Sequence, residues 1–357
     1  MFVRTVRDVK KGEELTVPYV DLYQARWERM KELWSDKVFI CTCDRCRYEE
    51  KAPKSFASES TITAAQLADW NQVGGIYCTE CTAKAAEESL NEMSFDDAKK
   101  GKKKKKAKVA TESSSDSSTA SASSSSSSST SSSFYPFLPP LAPPPANIGL
   151  LTWRGTGMDE IRSVSTPAQE SSVMSRVSWA CDRKGCTAKW SHQQVNERLQ
   201  PIVDLYRQAA ELKQSRKLEQ ALVGYEKMIH ELSTYVPPLH ALYISALSPA
   251  LNISLYLARQ TSSLARWSAS EQFVAGILTR MQRVFPRNWL ETSNFYIVLA
   301  EVIDEQAKLT TNETTKKELE NRRNLAYQEA HRIRSIVCGP QHPRTLSTPT
   351  PFREEKK

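Results

Sequence analysis

Apolar residues recur at helical spacing through the second half of the chain. LEQALVGYEKMIHEL, Leu218 to Leu232, puts Leu218, Leu222, Tyr225 and Ile229 on one face, the three-to-four spacing of an amphipathic helix. VDLYRQAAELK, Val203 to Lys213, reads the same way, as do stretches around Leu239–Leu257, Ser270–Val284, Trp289–Leu309 and Lys316–Val337. Pro237–Pro238, Pro286 and Gly339–Pro340 punctuate them where helices should stop. The six patterns pair into three hairpins of similar length, and stacking buries faces that no single hairpin can bury alone. Residues 193–346 are therefore expected to form tetratricopeptide-like helical hairpins, with 347–357 a disordered tail. SRKLEQALVGYEKMI and GPQHPRTL look like pieces of such repeats; a plain helical bundle is the simpler alternative.

The longest apolar region, Leu239 to Ala258, is interrupted by Ser245, Ser248, Pro249 and Asn252. It reads as a buried or amphipathic helix and not as a membrane span. The opening residues, MFVRTVRDVKKGEELT, carry charges every few positions and no apolar stretch, unlike a secretory signal. The expectation is a soluble protein of the nucleus or cytoplasm, with no membrane partner.

Ahead of the helices, composition divides the chain. Residues 1–50 are mixed and charged and end in a cysteine cluster, and 51–98 and 173–192 each hold a further cysteine pair. Between them, 99–172 is low in complexity: a lysine run, a serine tract, then FLPPLAPPPAN. Such a segment buries too little apolar surface to offset its ordering entropy, and disorder is expected. The net charge of +8 changes meaning once located, because KKGKKKKKAK (Lys99 to Lys108) alone supplies eight lysines. The remainder is near neutral, so nucleic acid is not an expected partner. The run reads as a solvated charge block or a nuclear-localisation signal, and SSSDSS as a possible phosphate acceptor.

The eight cysteines carry the chemistry. FICTCDRC packs Cys41, Cys43 and Cys46 into six positions, a spacing that suits tetrahedral zinc and lacks a fourth ligand. Cys78-x2-Cys81 and Cys181-x4-Cys186 form a second candidate zinc site, with free buried thiols or redox chemistry as alternatives. Residues 82–180 separate the pairs, but the cost of closing a flexible loop grows only logarithmically with its length. Its role would be structural, joining the first cluster to the helices, with Trp179 and Trp190 packed around it. Cys338 reads as a small apolar core residue and His192 as a surface or helix-start residue.

VRTVRDVKKGEELTVPYVD, followed by FICTCDRC, resembles the closing segment of a SET domain with its post-SET zinc cluster, as arranged in the SET- and MYND-domain (SMYD-like) protein-lysine methyltransferases. The matching residues are Arg7, Asp8, Gly12, Glu13, Glu14, Leu15, Tyr19, Phe39, Cys41, Cys43 and Cys46. The resemblance implies a strand running into the motif and a tetratricopeptide-like C-terminal domain. It also implies that Tyr19 is the active-site tyrosine of the lysine channel and that Phe39 packs on the adenine of S-adenosylmethionine. The fold expected is thus mostly α: a small β and zinc remnant of a SET domain, a long disordered insertion and C-terminal helical hairpins. A SET domain builds much of its cofactor pocket from a G-x-G stretch and an N-H-S-C stretch, the latter giving the fourth zinc ligand. Neither precedes Gly12 in this sequence, and an N-terminally shortened methyltransferase acting on a protein lysine is the expectation. A catalytically inactive zinc-stabilised scaffold, using the helices to bind proteins, is the alternative. A zinc-dependent nucleic-acid binder ranks last.

Overall fold

A computed structural model of the chain describes residues 4–13, 15–43, 45–46, 64–88, 147–153 and 178–349. These residues are mostly helical and include one small antiparallel sheet. Helix α1 spans Arg26–Lys37, α2 spans Ala64–Gly74 and α3 covers 79–88. Strand β1 (Ile76–Tyr77) lies between α2 and α3, and β2 (Leu150–Trp153), β3 (Ser178–Cys181) and β4 (Lys189–Ser191) come after α3. Six long helices come next: α4 (His192–Gln214), α5 (Leu218–Tyr235), α6 (Ala241–Thr261), α7 (Leu264–Val284), α8 (Leu290–Leu309) and α9 (Glu313–Val337). The short α10 (Pro343–Leu346) closes the described chain.

Each long helix packs chiefly against the next in sequence. The stripe predicted on α5 faces the core: Leu222, Tyr225 and Ile229 are buried, Leu218 partly so. Helix α4 starts eleven residues before the apolar pattern at Val203 becomes legible. Its first turns bury only Val195 and Ile202, so periodicity is weak there. A capping box starts the helix instead: Ser191 Oγ accepts from the Gln194 amide at 3.2 Å, and Gln194 Oε1 accepts from the Ser191 amide at 2.8 Å. By length and composition α6 could cross a membrane, but half of that stretch is buried within the protein.

The sheet runs β1-β2-β3-β4, antiparallel throughout. Trp153 on β2 lies opposite Trp179 on β3, which lies opposite Trp190 on β4. Strand β2 corrects the sequence reading, which placed residues 147–153 inside the disordered insertion. The run IGLLTW is the exception to that segment's composition, and Leu151 is fully buried against Ile76 and Trp179. The rest of that segment, including the lysine run and serine tract, lies outside the described residues.

The described residues between 4 and 20 hold no strand, contrary to what the resemblance implied. No neighbouring strand among the described residues offers a ladder, and a lone extended segment has nothing to pair with. A turn closes from the Glu13 amide to the Lys10 carbonyl at 3.0 Å with Gly12 at φ +87°, a conformation that favours glycine. The segment is tied instead to the helices. Asn288 donates to the Val6 carbonyl at 2.7 Å, and the buried Tyr23 hydroxyl donates to the Leu239 carbonyl at 3.1 Å. Helix α2 docks beside it, with Arg283 bidentate on Asp69 (2.7 and 2.5 Å) and Trp70 Nε1 donating to the Val284 carbonyl.

Candidate metal centres and the Tyr19–Phe39 contact

Helix α1 places the first cluster. Glu28 caps it by accepting from the Ala25 amide at 2.9 Å, and Val38 ends it in the left-handed region at φ 57°, ψ 32°. That conformation is strained for a β-branched residue. Phe39 follows directly, and its ring meets that of Tyr19 edge to face, 5.8 Å between centroids. The Lys37 ammonium lies 5.9 Å from the Tyr19 ring centre. Both rings are accessible, Tyr19 57% and Phe39 37% exposed. Leu15 and Val17, alternating with Tyr19 along the extended segment, are also exposed.

The sulfurs of Cys41, Cys43 and Cys46 converge within 4.8 Å of one another. Buried Arg29 of α1 backs them, its Nη2 reaching Cys46 Sγ at 3.9 Å, while Arg26 Nε donates to the Cys46 carbonyl at 2.9 Å. Hydrogen bonds from Cys41 and Cys46 lower the Cys43 thiol to about 2, while the bond to Cys43 raises Cys41 and the bonds with Cys41 and then Cys43 raise Cys46. The converging sulfurs could hold a cation, and among the described residues the cluster offers three ligands. Arg26 also stacks over Trp153 at 5.3 Å, and Trp153 packs on Met30 and Cys46, so β2 supports this site from behind.

The second cluster draws on separate parts of the chain. Cys78 follows β1, Cys81 lies in α3, Cys181 ends β3 and Cys186 follows the turn at Gly185. Their sulfurs also lie within 4.8 Å of one another, with Cys78–Cys186 at 3.8 Å and Cys81–Cys181 at 3.7 Å. A zinc ion with four thiolates at about 2.3 Å has sulfur–sulfur edges of about 3.8 Å, so the geometry fits. Burial pushes the Cys78 thiol up to about 11 and raises Cys181. Burial acts likewise on Cys81, but a backbone hydrogen bond at Gly149 and its sulfur and Arg183 neighbours outweigh it and lower that thiol.

Sequence reading named all seven of these cysteines, and the fold brings them together as two groups. It missed what surrounds them. Gly149 is needed because a Cβ there would run into Cys181 Sγ and sit 2.8 Å from Arg183 Cβ; a lone glycine after a proline-rich stretch gave no signal. His192 opens α4 and stacks on Trp179 with ring centres 6.4 Å apart. Cys338 caps the end of α9, away from both clusters.

No protein-family model matches the chain. It is similar to "Protein SET DOMAIN GROUP 41" of Arabidopsis thaliana, 38% identical over 63 residues that cover 18% of this chain and 11% of that protein. It is similar to "Histone-lysine N-methyltransferase SMYD3" of Homo sapiens, 41% identical over 51 residues, 14% of this chain and 12% of that one. "Histone-lysine N-methyltransferase set5" of Schizosaccharomyces pombe is 33% identical over 76 residues, 21% of this chain and 23% of that one. The matches span less than a quarter of the length of these relatives. Through these short stretches the chain is similar to SET-domain proteins, among them proteins named as histone-lysine N-methyltransferases.

Proposed function

We propose that this chain carries the closing segment and post-SET cluster of a SMYD-like, S-adenosylmethionine-dependent protein-lysine N-methyltransferase. The observation that carries the reading is the Tyr19–Phe39 contact beside three converging thiols. Tyr19 and Phe39, twenty positions apart, lie in contact, which supports reading them as parts of one site. Tyr19 would line the lysine channel with its hydroxyl, orienting the amine in line with the methyl group. Phe39 would lie on the adenine, and zinc on Cys41, Cys43 and Cys46 would fix the segment that carries it. The described residues supply one open aromatic wall and not an enclosed pocket. The cofactor would supply the methyl group, and the contribution assigned to this chain is limited to orienting and covering it. The exposed alternation of Leu15, Val17 and Tyr19 fits a segment whose sheet partners are not among the described residues. The names of the relatives support a lysine-bearing protein substrate and a nuclear or cytoplasmic site of action.

A calorimetric titration with S-adenosylmethionine tests this. Binding that weakens at least about tenfold in Phe39→Ala supports the reading; binding unchanged by that substitution contradicts it.

One observation favours a second reading, a scaffold that binds proteins through its helices. A cavity of about 320 Å³ opens among α6 to α9, lined by Trp267 and Tyr327 together with Glu301, Asp304 and Glu305. The lining also includes Arg259, and Asp304 and Glu305 already pair with Lys308 and Asp304 with Arg323, so Glu301 with the two aromatic rings is the part that suits a basic side chain. Absence of cofactor binding together with binding of a Lys-rich peptide would favour this reading.

A further inference from the structure

We propose that Cys78, Cys81, Cys181 and Cys186 hold one zinc ion that clasps residues 82–180 into a closed loop, and that this ion is what assembles the sheet. The inference does not rest on the methyltransferase reading.

The strands are two to four residues long. Strands so short do not sustain a sheet by themselves. Their apolar contribution is limited: Ile76, Leu150, Leu151 and Trp179 are buried, and Trp153 and Trp190 only partly. Closing a long loop in exchange for so little burial is unfavourable unless something stronger joins its ends. The four sulfurs sit where the ends meet.

Their geometry chooses between two ways of joining them. The Cys81–Cys181 and Cys78–Cys186 sulfurs, at 3.7 and 3.8 Å, lie far beyond the roughly 2.05 Å of a disulfide, and all four cysteines are free. Forming two disulfides would also pull each pair away from the other. A single tetrahedral ion satisfies both pairs with no movement. An all-sulfur tetrahedral set selects zinc over oxygen-seeking cations.

The surroundings are built for the same purpose. The Cys78 amide donates to the Gly149 carbonyl at 2.9 Å, tying the first half-site to the residue before β2. The Asp182 amide donates to the Leu150 carbonyl at 3.0 Å, and Asp182 Oδ1 accepts from the Leu150 amide at 2.8 Å, tying the second half-site to β2 itself. Gly185 at φ +85° and the Cys186 amide bonded to the Arg183 carbonyl make the turn that aims Cys186 back. Such partners orient ligands around a metal.

The test uses the full chain with Cys41, Cys43 and Cys46 all changed to serine, so that only this site remains clustered. Elemental analysis is expected to find one zinc per chain, and adding Cys181→Ser to bring zinc to background. Should the Cys181 variant fail to fold, cobalt exchanged into the triple-serine chain reads the site directly. Intense visible bands of tetrahedral tetrathiolate cobalt are expected. Zinc retained after Cys181→Ser, no zinc in the triple-serine chain, or cobalt without sulfur-to-metal bands would each overturn the proposal. None of these results bears on cofactor binding at Phe39, so the two readings fail separately.

Discussion

The ring of Tyr19 meets the ring of Phe39 edge to face at 5.8 Å, although one precedes α1 and the other follows it. An exposed aromatic pair adds about 1 kcal/mol or less to stability. Phe39→Ala is therefore expected to leave the urea midpoint nearly unchanged while weakening S-adenosylmethionine binding about tenfold or more. A large loss of stability with intact binding would make Phe39 a packing residue and nothing else.

Val38 sits between that pair and α1 in a conformation that disfavours a β-branched side chain. Left-handed backbone costs about 1–2 kcal/mol outside glycine. Glycine itself costs more to order, so Val38→Gly is expected to stabilise by only about 0.5–1 kcal/mol. Denaturant melts of the two proteins check it, and a destabilised variant would mean that the strain is not relieved.

His240 is buried at the start of α6, where its Nδ1 accepts from the Leu242 amide at 3.2 Å. Burial lowers its pKa from the usual 6.5 to about 3. The folded state keeps it neutral while the unfolded chain protonates it below about pH 6.5. Stability is thus fully present above that pH and falls between pH 6.5 and 3, by up to about 1.4 kcal/mol per unit. His240→Asn keeps a helix cap and removes this slope. The difference between the two proteins isolates it from metal loss in acid, and identical pH profiles would refute it.

Zinc removal should act locally. A strong chelator is expected to abolish the near-ultraviolet dichroism of the Trp153–Trp179–Trp190 row while leaving most far-ultraviolet helical signal, because α4 to α9 pack on one another. Zinc per unmodified chain near two would mean that both clusters load. A value near one would mean that the three-cysteine cluster does not close on its described ligands.

The long helices were legible because their apolar faces repeat, as on α5 with Leu222, Tyr225 and Ile229. The start of α4 was not, because a polar first turn hides behind a cap. The cysteines were legible by spacing, and so was their meeting across a hundred positions, since the cost of closing a loop grows only logarithmically with its length. Strand β2 was hidden because four residues within a low-complexity stretch leave no periodic trace. Its importance depends on Trp153 touching α1, a contact that no local pattern encodes. The strand implied for the closing motif failed for a related reason: strands exist through partners, and none lies beside residues 4–20 among those described.

The convergence of Cys78, Cys81, Cys181 and Cys186 is the feature on which the account of the sheet depends. X-ray absorption fine structure at the zinc edge, on the chain with Cys41, Cys43 and Cys46 replaced by serine, reads it most directly. The account predicts four sulfur neighbours at about 2.3 Å. A shell with nitrogen or oxygen in place of two or more of those sulfurs would contradict it.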